Sequence, residues 1–218
     1  MGSVIIGAKI GQRHERTGIA VVEREQRGDV WHFTARHLER LPAGKPYPES
    51  AGRLAAVTEG ARAQAIQRLP VHQTTMLNAD EQRYYRRSEE RHAVTVYADV
   101  TGLGDPVIRL LAASGVEATP VYFTHGDRRE KMENGGGVLL GKGWLVAELQ
   151  VLLQTGRLHL PETKDAATLA KELTEYEIKM EPDANERYGA FAVGSQDELV
   201  TALGLTVQAE IRTPWRAY

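Results

Sequence analysis

Residues Ala93–Phe123 read AVTVYADVTGLGDPVIRLLAASGVEATPVYF, and this stretch decides the fold. Ala93–Ala98 is short, apolar and β-branched, a strand that runs into Asp99. Gly102-Leu103-Gly104 then turns the chain. Pro106 opens a helix in its first turn, where its missing N–H costs nothing. Gly115 closes that helix, and Glu117–Phe123 is a second strand. A strand–helix–strand unit places its strands parallel, with a right-handed crossover. An Asp at the carboxyl end of a buried strand, followed by a Gly-x-Gly turn, sits where α/β sheets carry their chemistry. The plainer role for such an Asp is to hold the turn or cap the helix.

Upstream of this unit, Val4–Ala8, Thr17–Glu23 and Val30–His37 read as three strands. The turns between them, at Gly11–Arg16 and Arg27-Gly28-Asp29, are short, so the three strands form an antiparallel meander. Pro42 to Pro48 breaks the chain. Leu54, Ala55, Val57, Ala61, Ala65, Ile66 and Leu69 recur at helical spacing and predict a helix over about 49–69. The arginine-rich segment Thr74–Arg91 reads as a loop or weak helix. Downstream, Gly135-Gly136-Gly137 reads as a hairpin tip or mobile loop. Trp144, Leu145, Leu149, Leu152 and Leu153 predict an amphipathic helix ending near Gly156. Ala166–Leu173 is a short helix and Glu177–Met180 a strand. A last helix runs from Gln196 to about Glu210, with Leu199, Val200, Leu203 and Val207 on one apolar face. This is the element order of a ribonuclease-H-like fold: α/β, a mixed central sheet with three leading antiparallel strands, flanked by helices. With no linker between two cores, residues 1–218 are expected to form one domain.

Composition narrows the chemistry. The chain has 218 residues, enough to bury a core without a metal or disulfide staple. It has no cysteine, which excludes thiolate zinc sites, iron–sulfur clusters and cysteine nucleophiles. Lys and Arg number 27 against 29 Asp and Glu, so a strongly basic nucleic-acid-binding tail is excluded while a local basic patch is not. No run approaches the roughly 18 apolar residues of a membrane span. Met1–Ile6 lacks the basic leader and long apolar stretch of a signal peptide. A cytoplasmic setting, the host cytoplasm if the chain is viral, is the expectation.

A second acidic signal is Gly194-Ser195-Gln196-Asp197-Glu198-Leu199-Val200. Two adjacent carboxylates begin a helix, a placement the helix dipole favours whatever else they do. Paired with Asp99, however, Asp197 could meet it over one sheet edge and hold Mg²⁺ or Mn²⁺, which prefer carboxylate oxygens. Two such ions about 3.5–4 Å apart activate water and stabilise the leaving oxygen in phosphodiester hydrolysis.

Several segments, in order along nearly the whole chain, resemble the nuclease domain of phage terminase large subunits, the DNA-packaging motor proteins. Ile6–Gln12 is similar to that family's G-x-D-x-G-Q opening strand, and Thr17–Glu23 to its T-A-x-A-V-V-E strand. Leu38-Glu39-Arg40-Leu41-Pro42 with Tyr47-Pro48 resembles its R-L-P…Y-P connection. Asp99–Gly104 resembles D-x-T-G-x-G. Lys142–Leu145 and Leu149–Leu160 resemble a P-K-x-x-L…L-L-x-x-G-x-L-x-I stretch. Asp197–Val200 with Ala202-Leu203 resembles D-D-L-V-x-A-L. The resemblance implies a metal-dependent double-stranded DNA endonuclease acting in viral genome packaging, with Mg²⁺ or Mn²⁺ on Asp99 and Asp197 and with Glu198 assisting. It implies double-stranded DNA as partner, with a packaging ATPase, portal or small terminase subunit beside it. The chain itself contains no G-x-x-x-x-G-K-[S/T] loop, so no ATPase domain is present in it.

Two departures from the family pattern matter. Lys9 stands where the family has the carboxylate of G-x-D-x-G-Q, and Gln196-Asp197-Glu198 stands for H-D-D. An ammonium where a cation should bind predicts weak metal binding. Two unit cations about 4 Å apart repel by roughly 4 kcal/mol at an effective dielectric of 20. Lys9 is therefore expected to pair with Asp99 or Asp197 in place of a metal. A disabled module that binds DNA or docks in a packaging complex is the alternative to an endonuclease. For DNA contact the expected residues are Lys142, in the P-K-like segment, and Arg128 and Arg129. Arg83, Arg86, Arg87 and Arg91, interleaved with Tyr84 and Tyr85, are a weaker cluster.

Overall fold

The computed structural model describes residues 3–12, 14–68, 94–133, 135–175, 177–180, 186–189 and 197–208. The arginine-rich cluster at 83–91, Gln196, and the expected end of the last helix beyond 208 lie outside the described residues. The elements run β1 (Ser3–Lys9), β2 (Gly18–Arg27), β3 (Val30–Arg40), α1 (Tyr47–Arg68), β4 (Val94–Asp99), α2 (Asp105–Ala113), β5 (Ala118–Thr124), β6 (Arg129–Lys131), β7 (Val138–Gly141), α3 (Lys142–Gln154), β8 (Leu158–His159), α4 (Lys164–Glu175), β9 (Glu177–Met180), β10 (Glu186–Gly189) and α5 (Glu198–Val207). Eight strands make one mixed sheet in the order β6-β7-β5-β4-β1-β2-β3-β8, and β9 and β10 pair separately.

The three leading strands are antiparallel, as the short turns between them predict, with a register shift at Val21/Val22. β1 and β4 are parallel, in a register that sets Lys9 beside Asp99. β4, α2 and β5 form the predicted parallel crossover. Gly102 and Gly104 sit at φ 74° and 66°, so the turn after Asp99 uses a backbone that only glycine adopts freely. Gly135–Gly137 lies between the antiparallel strands β6 and β7, the expected hairpin, although the strands themselves were too short to read from the sequence.

Side-chain parity explains the layers. Ile6, Ala8, Ile19, Val21, Val94, Val96 and Ala98 face one way and meet α1 and α2. Ala20, Val22, Phe33, Ala35 and Leu38 face the other way, into a cluster with α3, α4 and α5. Because successive residues of a strand alternate faces, Gly7 and Lys9 share the second face, as do Tyr97 and Asp99. Two expectations about the covering helices are corrected. α5 is not one-sided: all of Glu198–Val207 is buried. Its Thr206 hydroxyl is satisfied by the Leu203 carbonyl at 2.6 Å, which lets a polar residue face inward. In α3, Leu153 is exposed rather than part of the apolar face, which Leu145, Leu149 and Leu152 supply. No described helix is long and apolar enough to cross a membrane.

Candidate functional site

The parallel strands β1, β4, β5 and β7 end at one edge of the sheet, and the edge collects the predicted residues. Lys9 is the last residue of β1 and Asp99 the last of β4. Lys142 follows directly on Gly141, the end of β7. Arg128 and Arg129 reach the same edge from the hairpin, because Gly141 N–H donates to the Arg128 carbonyl at 2.7 Å and Arg129 pairs with Leu140. The start of α5 completes the group with Asp197 and Glu198.

Asp197 does not cap its own helix: its side chain makes no cap hydrogen bond. It turns instead to two ammonium groups. Lys9 Nζ donates to Oδ1 at 2.7 Å, and Lys142 Nζ stands 3.5 Å from Oδ2. Lys9 and Asp197 are only 14% and 13% exposed, so this pair is largely removed from solvent screening. The predicted pairing of Lys9 thus forms, and with Asp197. Burial alone would raise the Asp197 carboxyl, but Lys9 and Lys142 hold it below the usual carboxylate range. Burial would lower Lys9, but Asp197 lifts it above the ordinary lysine value. Lys142 also lies over the Phe123 ring, 5.5 Å from its centroid.

Asp99 has a different environment. Its Oδ1 accepts the Thr101 N–H at 2.9 Å, the turn-stabilising role of a strand-end Asp. Gln12 Nε2 donates to the Thr101 carbonyl at 3.2 Å, tying the first loop to the same turn. Burial raises the Asp99 carboxyl above its usual value, against the Thr101 bonds and the nearby lysines. Glu198 is buried over Gly18, and its Oε1 accepts the Arg16 N–H at 3.4 Å while Oε2 has no partner. Glu15 stays in its turn, accepting the Gln12 N–H at 3.4 Å.

One residue at this site escaped the sequence reading. Glu172, in the last turn of α4, is buried and accepts the Leu199 and Val200 N–H groups at 2.8 and 3.0 Å. It supplies from another helix the cap that Asp197 withholds. Its second oxygen faces Arg40 at 3.5 Å. A glutamate in a polar helix ordinarily reads as solvated, and only the docking of α4 on α5 reveals it. Burial, with Glu198 adding repulsion, pushes the Glu172 carboxyl up to about 7. The folded protein therefore holds this proton more tightly than the unfolded chain, and stability falls as pH rises from the ordinary glutamate range through about 7. Glu172→Gln keeps an acceptor for both N–H groups and removes the titration. Urea unfolding at pH 5 and pH 8 should show the variant gaining on the parent at the higher pH, on the order of 2 kcal/mol.

The histidines also hold a pair that spacing could not show. His32 Nδ1 and His159 Nε2 are 3.0 Å apart across β3 and β8, with ring centroids at 5.3 Å and planes within 11°. That geometry fits one proton shared in an N–H···N bond. Among the described residues no group of three or more His, Asp or Glu side chains gathers to hold a metal.

No family model and no curated protein matches the sequence. Solved structures do. The large terminase nuclease of thermophilic phage G20c with bound magnesium superposes with a TM-score of 0.61 at 21% identity, covering 95% of this chain and 81% of that one. The nuclease domain of the Thermus phage P74-26 large terminase gives 0.56 at 20% identity, covering 94% and 78%. That of the P22 large terminase gives 0.53 at 13% identity, covering 97% and 87%. The chain has the ribonuclease-H-like fold of the large-terminase nuclease domains.

Proposed function

We propose that this chain is a terminase-type module of a viral DNA-packaging machine that engages double-stranded DNA through the sheet edge of Lys142, Arg128 and Arg129, without two-metal strand cleavage. The observation that carries this reading is the double grip on Asp197, whose oxygens face the Lys9 and Lys142 ammonium groups at 2.7 and 3.5 Å. The resemblance implies Mg²⁺ or Mn²⁺ on Asp99 and Asp197, and a similar fold has been solved with bound magnesium. The donor set of this chain does not fit such an ion. Hard cations need free carboxylate oxygens. Here one carboxylate is committed to lysines, Asp99 is engaged by Thr101, and Glu198 turns toward Arg16. An edge rich in ammonium and guanidinium groups instead suits phosphate, which such groups contact without reading sequence.

The endonuclease is the second reading, favoured by the fact that Asp99 and Asp197 do share one sheet edge around Lys9. Plasmid DNA with Mn²⁺ separates the two. On the proposal, the parent retards duplex DNA and leaves plasmid intact. Lys142→Ala weakens retardation on every sequence and flattens the salt dependence by about 0.9 in log–log slope for each phosphate it ceases to neutralise. Nicking by the parent that disappears in Asp99→Ala would instead establish the endonuclease. A parent that does not bind duplex DNA at low salt refutes both.

A further inference from the structure

We infer that Lys9 is a resident cation: its ammonium occupies the position at which a divalent ion would have to bind, and it makes the carboxylate edge independent of metal. The inference deepens the DNA-binding reading and rests on it for its biological setting. Three features carry it. Lys9 shares its sheet face with Gly7, so the side chain is directed under α5 rather than out to solvent, and it is only 14% exposed. Its nitrogen is at contact distance from Asp197 Oδ1, 2.7 Å, while Lys142 stands by the other oxygen. Its neighbour across the parallel register is Asp99, the other carboxylate of the edge.

A divalent ion binds a carboxylate oxygen at roughly 2.0–2.6 Å. On Asp197 Oδ1 it would have to displace the ammonium, because two cations cannot share so short a range in a buried site. The lysine also performs the electrostatic work that an ion would. It neutralises Asp197 and lies beside Asp99, so the two partly buried acids are held at one edge without an external charge. Lys142, more exposed at 30%, is the ammonium left to meet solvent and ligand.

The test uses Mn²⁺ alone, followed by titration calorimetry and by thermal unfolding with and without EDTA. The parent should show no saturable Mn²⁺ binding and the same unfolding midpoint in EDTA as in millimolar Mn²⁺. Lys9→Asp removes the ammonium and adds a third carboxylate to the edge. It should bind Mn²⁺ saturably, at least about tenfold more tightly than the parent, and lose that binding in combination with Asp99→Asn. If Lys9→Asp does not fold, as judged by its circular dichroism, Lys9→Met carries the test, since it removes the charge and keeps the length. It should also gain Mn²⁺ binding over the parent. The inference is overturned if the parent binds Mn²⁺ and loses it on Asp197→Asn, or if neither lysine variant gains metal. These readouts do not involve DNA. A parent that binds Mn²⁺ through Asp197 yet retards DNA sinks the resident-cation inference alone, and one that binds neither sinks the DNA reading alone.

Discussion

Lys9→Met should lower the unfolding free energy by about 3 kcal/mol, toward the lower end of the roughly 3–5 kcal/mol cost of removing one member of a buried ion pair. The lower end is expected because Lys142 remains 3.5 Å from Asp197 and screens part of the orphaned charge. The double variant Lys9→Met/Asp197→Leu should recover most of the loss, since a buried pair is worth little more than an apolar replacement of similar volume. The pH dependence follows from the two shifts. Asp197 has a depressed carboxyl, so its contribution is present above the ordinary aspartate range and is lost as pH falls through its folded value. Lys9 is raised, so its contribution is present below the ordinary lysine value and is lost as pH rises through its folded value. The gap between parent and Lys9→Met should therefore be flat from about pH 5 to pH 10 and should narrow at both extremes. Urea unfolding across that range measures it. A gap unchanged at pH 3 would mean that the pair does not form.

Much of this edge was legible because strands obey a period of two. Once β1 and β4 are recognised, Lys9 and Asp99 both fall at strand ends, on the face opposite Ala8 and Ala98. The Gly-x-Gly turn and Pro106 mark where β4 stops, and that alone positions Asp99. The distant partner Asp197 could be guessed only as part of a pattern of motifs, since nothing local ties residue 197 to residue 9. Other features were hidden for physical reasons. α5 carries Thr201, Gly204 and Thr206, small or polar residues that make the helix read as only partly apolar. In the fold, Thr206 bonds back to its own helix and Gly204 makes room for Leu145. Glu172 and the His32–His159 pair draw their character from neighbours 27 and 127 residues away, beyond the reach of spacing rules. β8 has only two residues, too few to show alternation.

Gly7→Ala should be at least as damaging as removal of the ion pair, for a reason unrelated to charge. In β1, Gly7 faces α5, and a Cβ there would run into the backbone carbonyl of Ala202 and lie 2.9 Å from Leu205 Cβ. The obstacle is mostly backbone, which cannot rotate away as a side chain can. Overpacking a well-filled core typically costs about 1–3 kcal/mol and occasionally more, and a backbone clash belongs at or above the top of that range. Gly18 meets the Glu198 backbone in the same way, so two glycines on adjacent strands let α5 lie almost directly on the sheet. That close approach brings the start of α5, and with it Asp197, down to Lys9. Gly7→Ala should consequently lower the unfolding midpoint and also weaken the Lys9–Asp197 pair, so that adding Lys9→Met to it costs less than in the parent. A double-mutant cycle reads this coupling directly. Gly52→Ala and Gly60→Ala supply the contrast. Both lie in α1 with open space where a Cβ would go, and they should stabilise by about 0.5–1 kcal/mol through helix propensity. If Gly7→Ala proves as benign as these, α5 does not rest on β1 at this distance, and the geometry that brings Asp197 to Lys9 fails with it.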